Sequence, residues 1–184
     1  MTKEESRFYD NYEKTLLEGL MKVCSSAGLM DGALLGSEDL DGKWESMIKD
    51  YIADAVLQFN DYPEATIAWP AFIGMAVACM WDNDWEVFKD LPYASLYGEH
   101  GFDDMDEHIL RDIMKIPLGS EEASKIVDAM DSCALAALAL IRHEGVEAQT
   151  AQGFFILART YTVMFKIGVS TALKRLKYKF EKIG

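Results

Sequence analysis

The sequence predicts an all-α fold: a single domain over residues 1–184, built as an up-and-down bundle of about six helices. A long C-terminal helix and an irregular connection near 84–101 complete the expected outline. Three observations predict it. Apolar residues recur at spacings of three and four through most of the chain. Ser, Thr, Asp, Pro and Gly fall between those runs, where helices start and stop. Period-two alternation, Asn-Gly turns and β-branched runs, the marks of strands, are missing.

Thr2-Lys3-Glu4-Glu5 is a capping box that starts the first helix, whose stripe of Phe8, Tyr12, Leu16, Leu20, Val23, Cys24 and Ala27 runs to Gly28, a left-handed cap. Leu29–Gly42, with three glycines and four acids, reads as a loop. Asp41 can cap a second helix in which Trp44, Met47, Ile48, Tyr51, Ile52, Ala55, Val56 and Phe59 form the inner face. Asn60-Asp61-Tyr62-Pro63 ends it and begins a third, because proline is tolerated in a first turn whose N–H has no partner. Pro70, seven residues further, predicts a kink or marks the helix's true beginning.

From Asp82 to Gly101 the apolar residues lose their period, so a short helical turn in an irregular connection is expected. Asp103 or Asp104 can cap a fourth segment with Met105, Ile109, Ile113 and Met114 inside, ending before Pro117. Ser120, followed by Glu121 and Glu122 where the helix dipole favours anions, caps a fifth through Ile126, Met130, Cys133, Ala137 and Ile141. A last helix is expected from Glu147 to Lys182. Its stripe includes Phe154, Ala158, Tyr161, Phe165, Val169, Ala172, Leu176 and Phe180. At 1.5 Å per residue it spans ~50 Å, so it must kink at Gly168 or project.

Half of the residues are apolar, enough for a core without disulfides or metals. Ala65–Trp81 carries no charge, but Thr66, Pro70 and Gly74 and the flanking Glu64 and Asp82-Asn83-Asp84 mark a buried core helix rather than a membrane span. Cys24, Cys79 and Cys133 lie far apart along the chain in apolar surroundings and read as reduced core residues. With no apolar targeting stretch at the start of the chain, they point to the cytoplasm.

The net charge of −13 argues against nucleic acid as a partner and suits a basic protein. It is unevenly spread: residues 166–184 carry +5, leaving −18 on the rest. The basic end can fold onto the acidic body or dock on a second copy, making a homodimer possible.

Few polar clusters suit chemistry. His100, Asp103, Asp104, His108 and Asp112 are the candidate metal ligands, because Asp104, His108 and Asp112 share a helix face at a spacing of four. The Glu-x-x-His pairs of di-iron bundles and the His-Glu-x-x-His of zinc proteases are absent. Asp82-Asn83-Asp84 begins like a calcium loop, but Val87 and Tyr93 stand where that loop needs glycine and a carboxylate. Asp128 and Asp131 share a face that reads as solvent-facing. No phosphate-binding, dinucleotide or nucleophile-elbow motif occurs, so no cofactor is expected.

A different feature is the acidic and aromatic stretch of Asp82, Asp84, Trp85, Glu86, Tyr93 and Tyr97, which suits recognition of a basic protein surface. The expectation is therefore a non-catalytic acidic interaction protein, of adaptor or inhibitor type. The alternatives are a metal-dependent hydrolase or metal-binding protein using residues 100–112, and a small-molecule carrier with an apolar pocket between helices.

Overall fold

A computed structural model describes residues 1–147 and 149–179. The chain forms six α-helices and no strand among the described residues, an all-α single-domain bundle. The helices are α1 (Lys3–Ser26), α2 (Glu38–Gln58), α3 (Pro63–Phe88), α4 (Met105–His108), α5 (Glu121–His143) and α6 (Ala151–Arg175). A 3₁₀ turn at Tyr93–Leu96 precedes α4, and a π-helical turn at Ile109–Ile113 continues it.

Most helix starts follow the local rules. Thr2 and Glu5 exchange both bonds of the capping box, Thr2 N–H to Glu5 Oε2 at 2.8 Å and Glu5 N–H to Thr2 Oγ1 at 3.1 Å. Gly28 takes φ +78°, which lets Leu29 N–H close onto the Cys24 carbonyl at 2.9 Å. Ser120 Oγ accepts from Ala123 N–H at 3.2 Å.

Several expectations need correction. The second helix begins at Glu38, capped by Ser37 rather than Asp41, so the preceding loop is shorter than expected. Glu38, Asp39 and Asp41 become its dipole-favoured first turn. Helix α3 passes through Pro70 with helical geometry and instead breaks at Asp84, where φ is −155° and ψ is 90°. Proline has no N–H for the Thr66 carbonyl, and the Tyr51 hydroxyl donates to that carbonyl in its place.

The last helix runs over Ala151–Arg175, about 37 Å, starting from a Thr150 cap and closing at Leu176 and Lys177, where φ reaches 76°. It therefore does not project as one long rod through Lys179, and Gly168 does not kink it. The expectation for 180–184 lies outside the described residues.

Contacts across the bundle fix its directions. Arg159 on α6 pairs with Asp10 and Glu13 near the start of α1, and Lys174 near its end donates to the Gly28 carbonyl just beyond α1. These helices therefore run the same way. Tyr51 against Tyr161 and Trp44 against Phe165 set α2 antiparallel to α6, while Arg175 on Glu122 does the same for α5. Helix α3 runs with α6, and the two form the most extensive helix pair.

That pairing explains why α3 is apolar all round. Thr66–Ala68 and Pro70–Ala78 are buried without interruption, as a helix packed on every side requires. By length and composition α3 is the one helix among the described residues apolar enough to cross a membrane, and 67% of its most apolar stretch is buried inside the protein. Gly74 and Gly168 make the close approach: a Cβ on Gly168 would stand 1.8 Å from the Ala71 carbonyl oxygen, and one on Gly74 2.2 Å from that of Phe165. The buried hydroxyls of Thr160 and Thr171 donate to carbonyls one turn back, and Ser170 accepts from Leu35 N–H. Among the described residues no buried side-chain N or O atom is left without a partner.

Candidate functional site

The acidic stretch after Trp81 lies where α3 loses its helical geometry. The break at Asp84 turns the last residues of α3 toward the start of α2. Lys43 of α2 secures this turn by donating from Nζ to the carbonyls of Lys89 at 2.8 Å and Leu91 at 2.6 Å. Trp81 Nε1 donates to Asp39 Oδ2 at 3.3 Å, joining the acidic first turn of α2 to the acidic end of α3. Glu38, Asp39, Asp41, Asp82, Asp84, Glu86 and Asp90 thus belong to one end of the molecule. All seven are exposed.

The basic C-terminal residues fold back onto the acidic body. Lys174 Nζ sits 2.9 Å from Asp31 Oδ1, and Arg175 pairs with Glu122. Beyond α6, Tyr178 donates its hydroxyl to Asp82 Oδ1 at 2.7 Å and lays its ring 5.5 Å from that of Trp81. A segment reading Lys177-Tyr178-Lys179 therefore rests beside the acidic end. Glu86 pairs with Lys89 at 2.9 Å, an exposed contact of little energetic weight. Trp85 is half-buried against the core.

Tyr93 and Tyr97, expected to share this surface, point elsewhere. Tyr93 is 5% exposed, and both hydroxyls donate to Asp54 Oδ2 on α2, Tyr93 at 3.0 Å. Burial, and then the Asp54 charge, push the Tyr93 hydroxyl far above its ordinary range and that of Tyr97 up to about 12. The stretch read as one site is therefore divided: its carboxylates face solvent, and its tyrosines close the aromatic core around Tyr51.

The candidate metal ligands separate into pairs. Asp104 stands at the N-cap position of α4 but makes no capping bond there. It turns back to His100, accepting from the backbone N–H at 3.0 Å and meeting Nδ1 at 3.1 Å. Burial would raise the Asp104 carboxyl, but the His100 side chain and backbone outweigh it and hold the group below its usual range. His108 Nδ1 meets Asp112 Oδ2 at 2.9 Å, and Arg111 also donates to Asp112. Arg111 first, then His108, hold Asp112 down to about 2. Asp103 is exposed and joins neither pair. The chain reversal marked by the Gly98–Gly101 bridge pulls Asp104 off the shared helix face, and among the described residues no three His, Cys, Asp or Glu side chains converge.

Asp128 and Asp131 are both exposed. A carboxyl that does stand out is Asp106, half-buried and pushed up to about 6 by burial.

An apolar cavity of about 120 Å³ lies between the end of α2 and the start of α6. Ile52, Val56, Phe59, Phe154, Leu157 and Tyr161 line it, with Asn60 and Gln149 at its edge. The sequence placed Val56 and Phe154 on inner helix faces. In the structure they are 59% and 49% exposed, because they line this cavity rather than a packed interface. No periodicity signal distinguishes such a position from a core one. No protein-family model, curated protein or solved structure matches this chain.

Proposed function

We propose that the protein is a non-catalytic interaction protein whose acidic end binds a basic protein partner. The observation that carries this reading is the joining of the α2 first turn to the broken end of α3 through Trp81 and Asp39. Carboxylates that are separated in sequence thereby act on one partner surface together, and like charges gathered on one face steer an oppositely charged protein toward it. The chain's own Lys177-Tyr178-Lys179 segment supports the same chemistry, with its aromatic ring against Trp81 and its hydroxyl on Asp82. A partner of this kind presents an aromatic residue between basic ones. The basic residues of a second copy satisfy that description as well as a different protein does.

Binding of a fluorescent Lys/Tyr peptide tests the reading. Reversing Asp82, Asp84 and Glu86 to lysine should weaken binding about tenfold or more, and raising salt from about 0.05 to 0.5 M should do the same. Reversing three exposed acids away from this end, Glu4, Glu18 and Asp128, provides the control. Equal loss in both variants would mean that net charge, and not this face, holds the peptide.

A second reading, that of a small-molecule carrier, rests on the cavity between α2 and α6. It is smaller than the ~150 Å³ cavity that encloses benzene, but its exposed Val56 and Phe154 leave one side open, so it suits a short alkyl chain or a single small ring with one edge in solvent. Benzene, toluene or indole at millimolar concentration should raise the melting temperature, since a ligand bound only to the folded state stabilises it. Ile52→Trp, which fills the cavity, should remove the shift. A ligand-induced shift of unchanged size in that variant would place the binding elsewhere.

A further inference from the structure

Folding brings together two cysteines that stand 109 residues apart in the chain. Cys24, near the end of α1, and Cys133, in the middle of α5, are both fully buried, and their sulfurs lie 3.6 Å apart. Both are free thiols. A disulfide needs ~2.05 Å between sulfurs, so the two helices must close by roughly 1.5 Å, within the 1–2 Å by which packed helices shift.

The two sulfurs are not equivalent. The hydrogen bond with Cys133 lowers the Cys24 thiol against the burial that raises it, so Cys24 is the sulfur that ionises first. Ionised sulfur is the nucleophile in thiol chemistry. A groove between the same two helices is lined by Val23, Ala27, Lys125, Ala129 and Ser132. These residues lie one, three, eight, four and one positions from a cysteine on the same helices. Three of them are Ala or Ser, small side chains beside the buried pair.

We propose that Cys24 and Cys133 are a peroxide-sensitive thiol pair that closes into an intramolecular disulfide, clamping α1 to α5. The oxidant is hydrogen peroxide, small enough to enter where a peptide disulfide is excluded. The Cys24 thiolate attacks one peroxide oxygen: an S–O bond forms, the O–O bond breaks, and the departing hydroxide takes up the proton that Cys24 released. Cys133 sulfur then attacks Cys24 sulfur. The S–S bond forms, the S–O bond breaks, and water leaves with the Cys133 proton. Two thiols lose two electrons, and one peroxide becomes two waters.

Cys79 on α3 is an internal reference. It is half-buried, and burial pushes its thiol up to about 11, so it ionises little at neutral pH. Reduced full-length protein is treated with hydrogen peroxide, quenched, unfolded, alkylated and mapped by mass spectrometry. The expected product is a monomer with a Cys24–Cys133 cross-linked peptide and an alkylated Cys79. Its melting temperature should rise by roughly 10 °C, because a cross-link closing so long a loop restricts the unfolded chain, and should return on reduction. Cys133→Ala removes the resolving thiol with little change in volume. It should abolish the cross-link and leave a dimedone-reactive sulfenic acid at Cys24. The proposal is overturned if Cys24 and Cys133 stay fully alkylatable after peroxide, if disulfides form only between molecules, or if the cross-link forms without raising the melting temperature.

Discussion

Gly168→Ala is expected to cost about 3–5 kcal/mol of stability, near the upper end of what one methyl group can do. The added Cβ would stand 1.8 Å from the carbonyl oxygen of Ala71 and 2.8 Å from its Cα. No rotamer change relieves a clash with backbone, so α3 and α6 must separate, and the packing lost extends along the largest helix interface in the molecule. Gly74→Ala meets the Phe165 carbonyl and Val169 nitrogen from the other side of the same crossing. One separation accommodates both methyl groups, so the double variant should cost less than the two single effects added together. Gly42, exposed on α2 with nothing within 4 Å of its would-be Cβ, supplies the contrast. There alanine should stabilise by about 0.5–1 kcal/mol through helix propensity alone. Urea unfolding of the four variants reads all of these values. A Gly168→Ala protein within about 1 kcal/mol of the parent would show that the two helices do not approach so closely.

The second large effect is expected at Tyr51. It is fully buried at the centre of an aromatic cluster, with Tyr161 at 5.2 Å, Phe102 at 6.0 Å, Trp44 at 6.1 Å and Tyr93 at 6.2 Å between ring centroids. Its hydroxyl donates to the Thr66 carbonyl, the acceptor that Pro70 leaves without an intrahelical N–H. Tyr51→Phe retains the ring and strands that carbonyl, a loss of about 1–3 kcal/mol. Pro70→Ala restores an N–H to the same acceptor. In the Pro70→Ala background, Tyr51→Phe should therefore cost about 1 kcal/mol less. A double-mutant cycle measured by urea unfolding isolates that coupling from the volume changes each substitution brings. Equal costs in the two backgrounds would mean that Tyr51 acts through its ring alone.

Much of the fold was legible because it is governed by neighbours in sequence. The Thr2 capping box, the Gly28 and Ser120 caps and the stripes of α1 and α5 depend on residues within a few positions of one another, which periodicity and capping chemistry read directly. The misplaced boundaries have the same origin. Ser37 is as good a cap as Asp41, and Thr150 caps a helix whose pattern extends back to Glu147; propensity does not rank these starts. Pro70 predicts a kink because an isolated helix has no donor for the freed carbonyl. That donor comes from Tyr51, fifteen residues upstream of Thr66 on another helix.

The candidate site was legible only in part. The acidity of Asp82, Asp84 and Glu86 is read directly from the sequence, and their exposure is seen in the structure. Their association with Asp39, the inward turn of Tyr93 and Tyr97 toward Asp54, and the docking of Tyr178 on Asp82 depend on which helices are adjacent. The His/Asp run shows the same limit, since a spacing of four places Asp104 with His108 only if the helix extends back to Asp104, and a chain reversal ends it there.

The sequence by itself determined the helical class, the single domain and the acidic surface, because periodicity, capping and charge are local properties summed along the chain. The tertiary structure decided which residues became neighbours. The close crossing at Gly74 and Gly168, the union of two acidic helix ends and the meeting of Cys24 with Cys133 each join positions tens of residues apart. Packing of whole helices, rather than any local preference, supplies the free energy that holds them together.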